Sequence, residues 1–445
     1  MEIRQVIRVF TYAYINLLPS ILSFWMVTIL PEILEHNLHI SDKEKLSRVG
    51  GFFFTSYYMG MMAGSLAWPN ILDYIPKRSA IIIGLVFQGI FNALTGFSSA
   101  ITVVLFYRFM TGIFQNLNTV GKDFVFEFAK PAFRQYAFTY KTFFSFVGSL
   151  IGPFLGWYFY TANDRSFSKC LIYISMLYTT GVVLFFIVFF LDYTPGDIAD
   201  HAADEEEAKN ILQSADEDLD KKNKQKSVLD VAKLCLEHPV LRNMILVYSI
   251  TSGVNKTLNY MTVFFLEASW KDHGFGLTSK AVTYISLFSF IPASLIILLS
   301  PSIVPKYVSY GSYIRFFILS VMIALTSLPI MRDLIPNNGP QYIWIVYIFQ
   351  GFLNITEPKI YSPFINFYLN RRVDKYSRAA LNSLTFILGN LSASIIITVV
   401  GSMFAFAMYN DVFEGYRQFS KYIPFVFLDV LLAIAYFFMY GQANK

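Results

Sequence analysis

The chain has 445 residues, of which 55 % are hydrophobic and only 15 % are charged. So few charges could not cover the surface of a water-soluble protein, and 46 Phe and 29 Tyr would make such a protein aggregate. The net charge of +5 is small for this length, so nucleic-acid binding is not indicated. Two cysteines, Cys170 and Cys235, provide neither a disulfide framework nor a thiolate metal site. The composition therefore excludes soluble enzymes, disordered proteins and disulfide-stapled secreted domains.

The apolar residues fall in blocks of about 20, the length that crosses a hydrocarbon core about 30 Å thick. The blocks are apolar all round, which predicts helices rather than barrel strands. We predict an all-α polytopic membrane protein with twelve transmembrane helices in two pseudo-symmetric six-helix halves. The first six spans are expected near Ile7–Leu34, Gly50–Ile71, Ser79–Gly96, Ile101–Phe126, Ala137–Tyr160 and Cys170–Leu191. The second six are expected near Pro239–Phe265, Lys280–Ser300, Gly311–Ile330, Gln341–Tyr368, Arg378–Tyr409 and Tyr422–Tyr440.

Between the sixth and seventh predicted spans, the composition changes from apolar to charged. Residues 193–236 carry acidic runs followed by lysines, and their last part has the apolar spacing of a short surface helix. We therefore predict a six-helix half over residues 1–192, a charged connector over 193–236 and a second six-helix half over 237–445. Lys and Arg are more frequent in the loops on the connector's side, which places both termini and the connector on the cytoplasmic or equivalent side.

The loop between the second and third spans combines a glycine, an aspartate and a basic pair. These residues are Gly64, Asp73, Lys77 and Arg78. Asp73 could accept hydrogen bonds from a helix N-terminus of the other half or pair with a basic residue, and breaking that contact would accompany opening toward the cytoplasm. In the alternative interpretation, the loop is an ordinary turn, and Lys77 and Arg78 bind phospholipid headgroups.

Two further patterns lie inside spans. The fourth span contains Arg108-Phe-Met-Thr-Gly112, and the fifth contains Gly148, Gly152, Pro153 and Gly156. Glycines four residues apart let helix backbones approach closely, and we expect this stripe to contact the eighth span of the other half. Pro153 adds a bend. The residues around Gly112 in span four also parallel those around Gly351 in span ten, as expected of a duplicated transporter.

These stretches resemble signatures of the major facilitator superfamily, and the resemblance extends over nearly the full chain. Residues 64–78 resemble the family's loop 2–3 signature, although Tyr74 and Pro76 stand where Arg and Gly are usual. Residues 108–112 and 148–156 resemble its fourth-span signature and its fifth-span antiporter signature. The pattern is similar to the tetracycline-resistance and zinc-induced-facilitator-like branch, of the drug:proton antiporter type. This resemblance implies a substrate site between two six-helix halves and associates the arginine of the fourth span with proton coupling.

Arg108 lies several residues inside an apolar helix, where a charged guanidinium costs at least about 2.5–3.5 kcal/mol. A carboxylate, backbone carbonyls, a water-filled cavity or an anionic substrate would offset this cost, unless the side chain reaches the membrane interface. Residues 108, 115 and 122 recur every seven positions and would share one face of a continuous helix. We expect this polar stripe to face the central cavity. The other candidate site residues of the span are Gln115, Asn116, Lys122 and Asp123. Alternatively, the last two lie at the cytoplasmic mouth.

Polar residues also interrupt two spans of the second half. Lys256 lies in span seven, and Asn354, Glu357 and Lys359 lie in span ten. The intervening Pro358 removes a backbone hydrogen bond and kinks or breaks the helix. Carbonyls released in this way, beside ionisable side chains, suit a substrate or ion site near the midplane. A structural ion pair of Glu357 with Lys256 or Lys359 is an equally good interpretation, since a buried pair is weak evidence of function.

The first hypothesis for the function is secondary active transport of a small solute by alternating access. The sequence shows no phosphate-binding glycine loop, nucleophile triad or strong metal-ligand cluster, so we expect no enzyme activity, no metal and no cofactor. The expected partners are membrane lipids, a polar or zwitterionic solute and, with proton coupling, protons. Coupling would involve Arg108, Asp123 and Glu357. Against it, no carboxylate lies well inside span one, where related drug–proton antiporters often have one.

The second hypothesis is a transporter-derived structural subunit of a larger membrane protein complex, with little or no transport activity. The weakened loop signature at Tyr74 and Pro76 and the many aromatic residues fit this alternative, whereas Arg108 and the glycine stripe are intact. The partners of such a subunit would be other membrane proteins, and the mitochondrial inner membrane would be a fitting location for it.

Overall fold

The computed structural model describes residues 2–72, 74–115, 117, 120–129, 131–191, 228–289, 292, 310–334, 341–355, 365, 369, 378–409 and 416–440. Nearly all of these residues are helical, which confirms the all-α prediction. We call residues 2–191 the first helical segment and residues 228–440 the second.

The first segment begins with a long helix that is followed by irregular turns. Its helices are α1 Glu2–Phe24, α2 Lys43–Ile71, α3 Lys77–Thr95, α4 Ile101–Ile113, α5 Val120–Phe128, α6 Pro131–Ala162 and α7 Phe167–Phe186. A short helix, Leu30–Glu32, and a π-helical turn, Ile33–Asn37, connect α1 to α2, and a second π-helical turn, Ile187–Leu191, follows α7.

The second segment begins with a short amphipathic helix outside the predicted spans. Its helices are α8 Val228–Glu237, α9 Pro239–Glu267, α10 over 279–289, α11 Tyr310–Leu334, α12 Gln341–Ile355, α13 Arg378–Tyr409 and α14 Ile423–Tyr440. A 3₁₀ turn, Trp270–Asp272, lies between α9 and α10, and a short helix, Arg417–Ser420, precedes α14.

Among the described residues, six helices are both long enough and apolar enough to cross a membrane. They comprise Ile3–Phe24, Lys77–Thr95, Phe143–Ala162, Phe167–Phe190, Gly311–Leu334 and Ala380–Tyr409. Large apolar side chains cover the outer surface of these and neighbouring helices, including Phe316, which is 65 % exposed, and Phe437, which is 75 % exposed. An outer surface this apolar is stable in lipid and would not be in water.

The fourth predicted span departs from its expected form, because it is not one continuous helix. α4 ends at Ile113, Gln115 is not helical, and α5 begins at Val120. The indole Nε1 of Trp68 donates a 2.8 Å hydrogen bond to the carbonyl oxygen of Ile113, which a continuing helix would need for its own ladder. The seven-residue spacing of positions 108, 115 and 122 therefore does not place them on one helical face, and that prediction is wrong.

Helix packing joins the two segments mainly through α2 and α13, which contact each other along much of their lengths. Within the first segment, α1 packs on α6, α2 on α4 and α3 on α7. Within the second, α9 packs on α13 and α11 on α14. Helices α2 and α13 thus form the main seam between the segments.

The glycine stripe of α6 packs against α1. Its predicted contact with the eighth span stays a prediction, because only the first part of that span, α10, is described. A Cβ added to Gly148, Gly152 or Gly156 would meet the backbone of Leu17, Ile21 or Trp25, respectively. These three backbone groups are one helical turn apart, so the stripe matches the pitch of α1 and of the turn after it. The second segment instead meets α6 at Pro153 and at Trp157, whose ring centre lies 5.8 Å from that of Tyr284.

Replacing Gly156 by alanine is expected to lower the thermal unfolding midpoint of the detergent-purified protein. The new Cβ would overlap the carbonyl of Trp25, and overpacking of this kind costs about 1–3 kcal/mol. Gly351→Ala is the matched control, because no atom of the described residues lies within 4 Å of its added Cβ. Alanine is also a better helix former than glycine by about 1 kcal/mol. Equal midpoints of the two variants in differential scanning fluorimetry would contradict the close α1–α6 contact.

Candidate functional site

Arg108 on α4 is completely buried, with 0 % of its surface exposed. Its guanidinium carbon lies 4.7 Å from the ring centre of Phe53 and 4.7 Å from that of Tyr57, both on α2. Among the residues that the structure describes, none forms a hydrogen bond with Nε, Nη1 or Nη2 of this side chain. The two aromatic faces offset part of the cost of burying the charge, and the hydrogen-bonding capacity of the guanidinium is left available.

Close packing of α2 on α4 places Arg108 between these rings. A Cβ on Gly60 would overlap the backbone at Phe109, and one on Gly112 would overlap the backbone at Tyr57. Gly64, which the loop signature singled out, lies against Ile113 in the same way. Glycine is therefore required on both helices for this approach, since any side chain would push α2 and α4 apart.

Tyr57 connects the arginine to two other elements. Its hydroxyl donates to Oε1 of Gln115, immediately after α4, and lies 3.1 Å from the hydroxyl of Ser23 on α1. Gln115 is almost completely buried, at 8 % exposure. The structure therefore brings two of the predicted site residues, Arg108 and Gln115, to the same tyrosine.

A second basic side chain, Lys256 on α9, approaches the same aromatic cluster from the second segment. Its Nζ lies 4.5 Å from the ring centre of Tyr58 and donates a 2.5 Å hydrogen bond to Oδ1 of Asn390 on α13. The rings of Tyr57 and Tyr58 are 5.6 Å apart. Two tyrosines in contact thus separate one basic group of each segment, and Lys256 is only half buried, whereas Arg108 is fully buried.

A narrow cavity also lies between the two segments. Its polar lining comes from hydroxyl and amide groups, including Thr28, Asn259, Thr262 and Gln350, and Pro153 forms part of its wall. The hydroxyls of Thr28 and Thr262 are buried and form no hydrogen bond with any described residue. Unsatisfied polar groups in a membrane-buried cavity are the kind of group that a polar solute or water would satisfy.

A sequence profile of the Major Facilitator Superfamily matches residues 13–397, which is most of the chain. The chain belongs to this superfamily. The family resemblance of the sequence signatures is thereby confirmed. Members of the superfamily are membrane transporters rather than enzymes, and the apolar helices of this chain agree with an integral, multi-pass membrane protein.

Relatives of this facilitator include plant proteins of the branch that the signatures indicated. The Arabidopsis thaliana protein ZINC INDUCED FACILITATOR-LIKE 1 is 22 % identical over 263 residues, which cover 57 % of this chain and 54 % of that protein. Across the curated relatives, the matched parts cover between 24 % and 54 % of their lengths.

Solved structures share the fold of this facilitator over nearly its whole length. The D-xylose-proton symporter matches with a TM-score of 0.68 at 12 % identity, covering 99 % of this chain and 97 % of that chain. The human organic anion transporter MFSD10 matches with a TM-score of 0.57 at 14 % identity, covering 98 % and 99 %. At these identities the likeness concerns the fold alone, and it confirms the predicted major facilitator fold.

One end of the facilitator's helix bundle is held closed by contacts between the two segments. Nζ of Lys43, at the start of α2, lies 2.5 Å from Oδ2 of Asp272, which follows α9. Nearby, the hydroxyl of Tyr260 donates a 2.5 Å hydrogen bond to the carbonyl oxygen of Ser47. The ring of Phe264 occupies the space beside Gly50, where a Cβ would lie 2.6 Å from it. We call this the latch end of the bundle.

Toward the middle of the bundle, the α2–α13 seam is made of hydroxyls and glycines. The Thr55 hydroxyl lies 2.8 Å from that of Thr398 and donates a 3.2 Å hydrogen bond to the carbonyl oxygen of Ser394. A Cβ on Gly401 would lie 3.4 Å from Cα of Gly51. Neither helix contributes a large side chain at these points, and the hydroxyl of Tyr260 on α9 lies beside the two glycines.

The predicted loop residues have partners within their own segment, as far as the structure describes them. Arg78 donates a 3.2 Å hydrogen bond from Nη1 to the carbonyl oxygen of Phe189, and its guanidinium carbon lies 5.7 Å from the ring centre of Phe190. Lys77 is half buried at the start of α3. Asp73 lies outside the described residues, so the role of this loop in gating stays a prediction.

Several other predicted site residues cannot be placed. Asn116, Glu357 and Lys359 lie outside the described residues, as do the side chains of Lys122, Asp123 and Asn354. The structure thus unites Arg108, Gln115 and Lys256, and it leaves the roles of the other candidates as predictions.

Sequence reasoning missed the aromatic walls of the site and one polar pair. Phe53, Tyr57 and Tyr58 carried no signal in a chain with so many aromatic residues. Asn390 is completely buried within α13, and its amide inside an apolar span was the signal that could have identified it. Asp429, which accepts a hydrogen bond from Thr326, was detectable in the same way, as a carboxylate inside the last span.

Proposed function

We propose that this chain is a secondary active transporter that moves a small polar solute by alternating access between its two helical segments. The observation that carries the proposal is that Arg108 and Lys256, one from each segment, lie on either side of Tyr57 and Tyr58. Ionisable groups placed inside a membrane bundle mark solute or ion pathways more often than they serve packing. Contacts that close one end of the bundle are what one state of an alternating cycle needs.

The organisation predicted from the sequence supports this cycle. In our proposal, the halves 1–192 and 237–445 rock against each other, the connector 193–236 links them, and the latch end faces away from the cytoplasm. Proton coupling is a further part of the proposal, with Arg108, Asp123 and Glu357 as its candidates. The names of the two solved neighbours refer to a sugar and to organic anions, so proteins with this fold carry chemically different solutes. The solute of this chain must therefore be inferred from the side chains of its own site.

Uptake by proteoliposomes tests the proposal. The full chain is reconstituted, and entry of radiolabelled benzoate, xylose and benzamidine is compared with entry into protein-free liposomes. We expect at least one of these anionic, neutral and cationic probes to enter faster through the protein, with saturation. Absence of protein-dependent uptake of all three would contradict transport, provided that the reconstituted protein keeps its thermal midpoint.

The second candidate function is a structural subunit of a larger membrane complex, and one observation favours it. The hydrogen-bonded pair of Thr326 and Asp429 lies on the outer face of α11 and α14, beside the exposed apolar side chains of Ile323 and Val426. A carboxylate facing lipid is costly, and a neighbouring membrane protein would shield it. The native mass after gentle detergent extraction separates the candidates. A particle of monomer or dimer mass supports the carrier, whereas stoichiometric co-migration with other proteins supports the subunit.

A further inference from the structure

Among the described residues, the region around Tyr57 and Tyr58 between the segments has an excess of hydrogen-bond donors and of positive charge. The three guanidinium nitrogens of Arg108 and Nδ2 of Asn390 are all buried without an acceptor among the described residues. The Lys256 ammonium, beside them, donates to the single oxygen of the same asparagine. Since a buried donor without an acceptor costs about 1–3 kcal/mol, the free Nδ2 donor of Asn390 beside the Lys256 ammonium favours a ligand that brings an acceptor.

No carboxylate neutralises either basic group within the part of the chain that the structure describes. The ion pairs found there lie elsewhere and join Lys43 to Asp272, Arg48 to Glu44, and Lys421 to Asp333. Both Arg108 and Lys256 are held instead by aromatic faces, which stabilise a cation without cancelling its charge. Among the described residues, the charges beside Tyr57 and Tyr58 are therefore positive, and an anion that binds there gains from both groups.

The two cations differ in their exposure. Arg108 is fully buried behind Tyr57, so it acts at a distance through its charge, whereas Lys256 and Tyr58 are partly exposed and can touch a ligand. Nζ of Lys256 has donors beyond the one given to Asn390. The ring of Tyr58 offers a flat apolar surface next to it. An acidic group attached to a small apolar body fits this combination.

We propose that the transported solute is a small organic anion whose acidic group binds the ammonium of Lys256 beside Tyr58 and Asn390. Arg108 is a positioning residue in this proposal, since it adds to the positive field without touching the anion. The assignment rests on the proposed transport function for its meaning, but the binding itself can be measured without transport.

The test uses a series of probes that share a ring and differ in charge: benzoate, benzamide and benzamidine. Each is added to the detergent-purified full chain, and the shift of the thermal midpoint is recorded against concentration. Formate serves as a second anion, because its small size makes its binding independent of the shape of the site. We expect stabilisation by benzoate or formate at lower concentration than by benzamide, and none by benzamidine. Equal effects of benzoate and benzamide, a preference for benzamidine, or no anion effect would each overturn the proposal.

Variants of Lys256 test whether the stabilising anion binds at this residue. Lys256→Gln is expected to weaken the apparent affinity for the stabilising anion about tenfold, the usual effect of losing one charged hydrogen bond. Lys256→Arg keeps the charge and should keep the stabilisation, which covers the case in which Lys256→Gln does not fold. Lys280→Gln is the matched control, because Lys280 also lies near an aromatic ring, that of Trp157 at 5.9 Å, but is exposed. Equal affinities of Lys256→Gln and Lys280→Gln would overturn the assignment.

Uptake measured on the same protein separates the two proposals. Anion binding that depends on Lys256, without uptake of any probe, would contradict transport and leave the anion site standing. Uptake of xylose or benzamidine without anion binding would contradict the anion site and leave transport standing.

Discussion

Replacement of Arg108 by methionine is expected to abolish solute uptake while the thermal midpoint stays unchanged or rises. Arg108 is completely buried, and its three nitrogens form no hydrogen bond with a described residue. Replacing a buried, poorly compensated charge with an apolar side chain of similar volume is neutral or stabilises a protein by about 1–4 kcal/mol. The loss of uptake would follow from the loss of positive charge beside Tyr57 and Tyr58. Uptake is measured in proteoliposomes, and the midpoint by scanning fluorimetry.

Arg332 provides the matched comparison, because it is a buried arginine whose hydrogen bonds are made. Its Nε donates a 2.5 Å bond to the carbonyl oxygen of Gly274, and its Nη2 donates a 3.1 Å bond to that of Trp270. Arg332→Met should therefore lower the midpoint, since the buried contact with the Gly274 carbonyl oxygen is lost, and a carbonyl left without a donor costs about 1–3 kcal/mol. If Arg108→Met lowered the midpoint as much as Arg332→Met does, Arg108 would be a structural residue and its functional role would be refuted.

Cross-linking Lys43→Cys to Asp272→Cys with a short bismethanethiosulfonate reagent is expected to reduce uptake to background, and a reductant should restore it. The covalent bridge would hold the two segments together at the latch end, and alternating access requires them to separate there. Removing one charge alone should have a small effect, about fivefold at most, because 57 % of the Lys43 side chain is exposed.

The native cysteines should not react with the cross-linking reagent, and a second ion pair provides a control. Its own Cys170 and Cys235 are both buried, and burial raises the pKa of the Cys235 thiol, which keeps it protonated and unreactive. Glu44→Cys with Arg48→Cys places the same reagent on an ion pair within α2, 2.5 Å long in the native chain. Uptake should survive that cross-link. Persistent uptake after complete cross-linking of positions 43 and 272 would show that the latch end does not open.

The sequence predicted the helices well, because each span is apolar on all sides and its length is set by the membrane rather than by neighbours. The break after Ile113 could not be predicted, since it depends on an indole from α2 that captures the Ile113 carbonyl. The helix that packs on the α6 glycine stripe could not be predicted either, because it too depends on how the helices pack in three dimensions. Small residues predict that another helix approaches closely, but the sequence does not identify that helix.

The sequence predicted those site residues that are charged and lie inside an apolar span. Arg108 and Lys256 are two such residues. Burying a charge in lipid costs free energy, so both residues could be identified as candidates from the sequence alone. What the sequence could not provide is their relation, because the two residues are far apart in the chain and meet only through adjacent tyrosines. The aromatic partners are ordinary members of an aromatic-rich sequence, and only their positions around the two cations distinguish them.

The hydroxyl-lined contact of α2 with α13 has a consequence for the way the two segments move. Interlocked large side chains permit few arrangements, and each change of register requires repacking. Here Thr55 shares its hydroxyl between Ser394 and Thr398, which are one helical turn apart on the same face of α13. A displacement of the helices by part of a turn exchanges the carbonyl oxygen of Ser394 for the hydroxyl of Thr398, or the reverse, and requires no large side chain of either helix to repack at this point. We therefore expect the contact at the centre of the bundle to oppose a change of state less than the ion pair and the ring contacts of the latch end do.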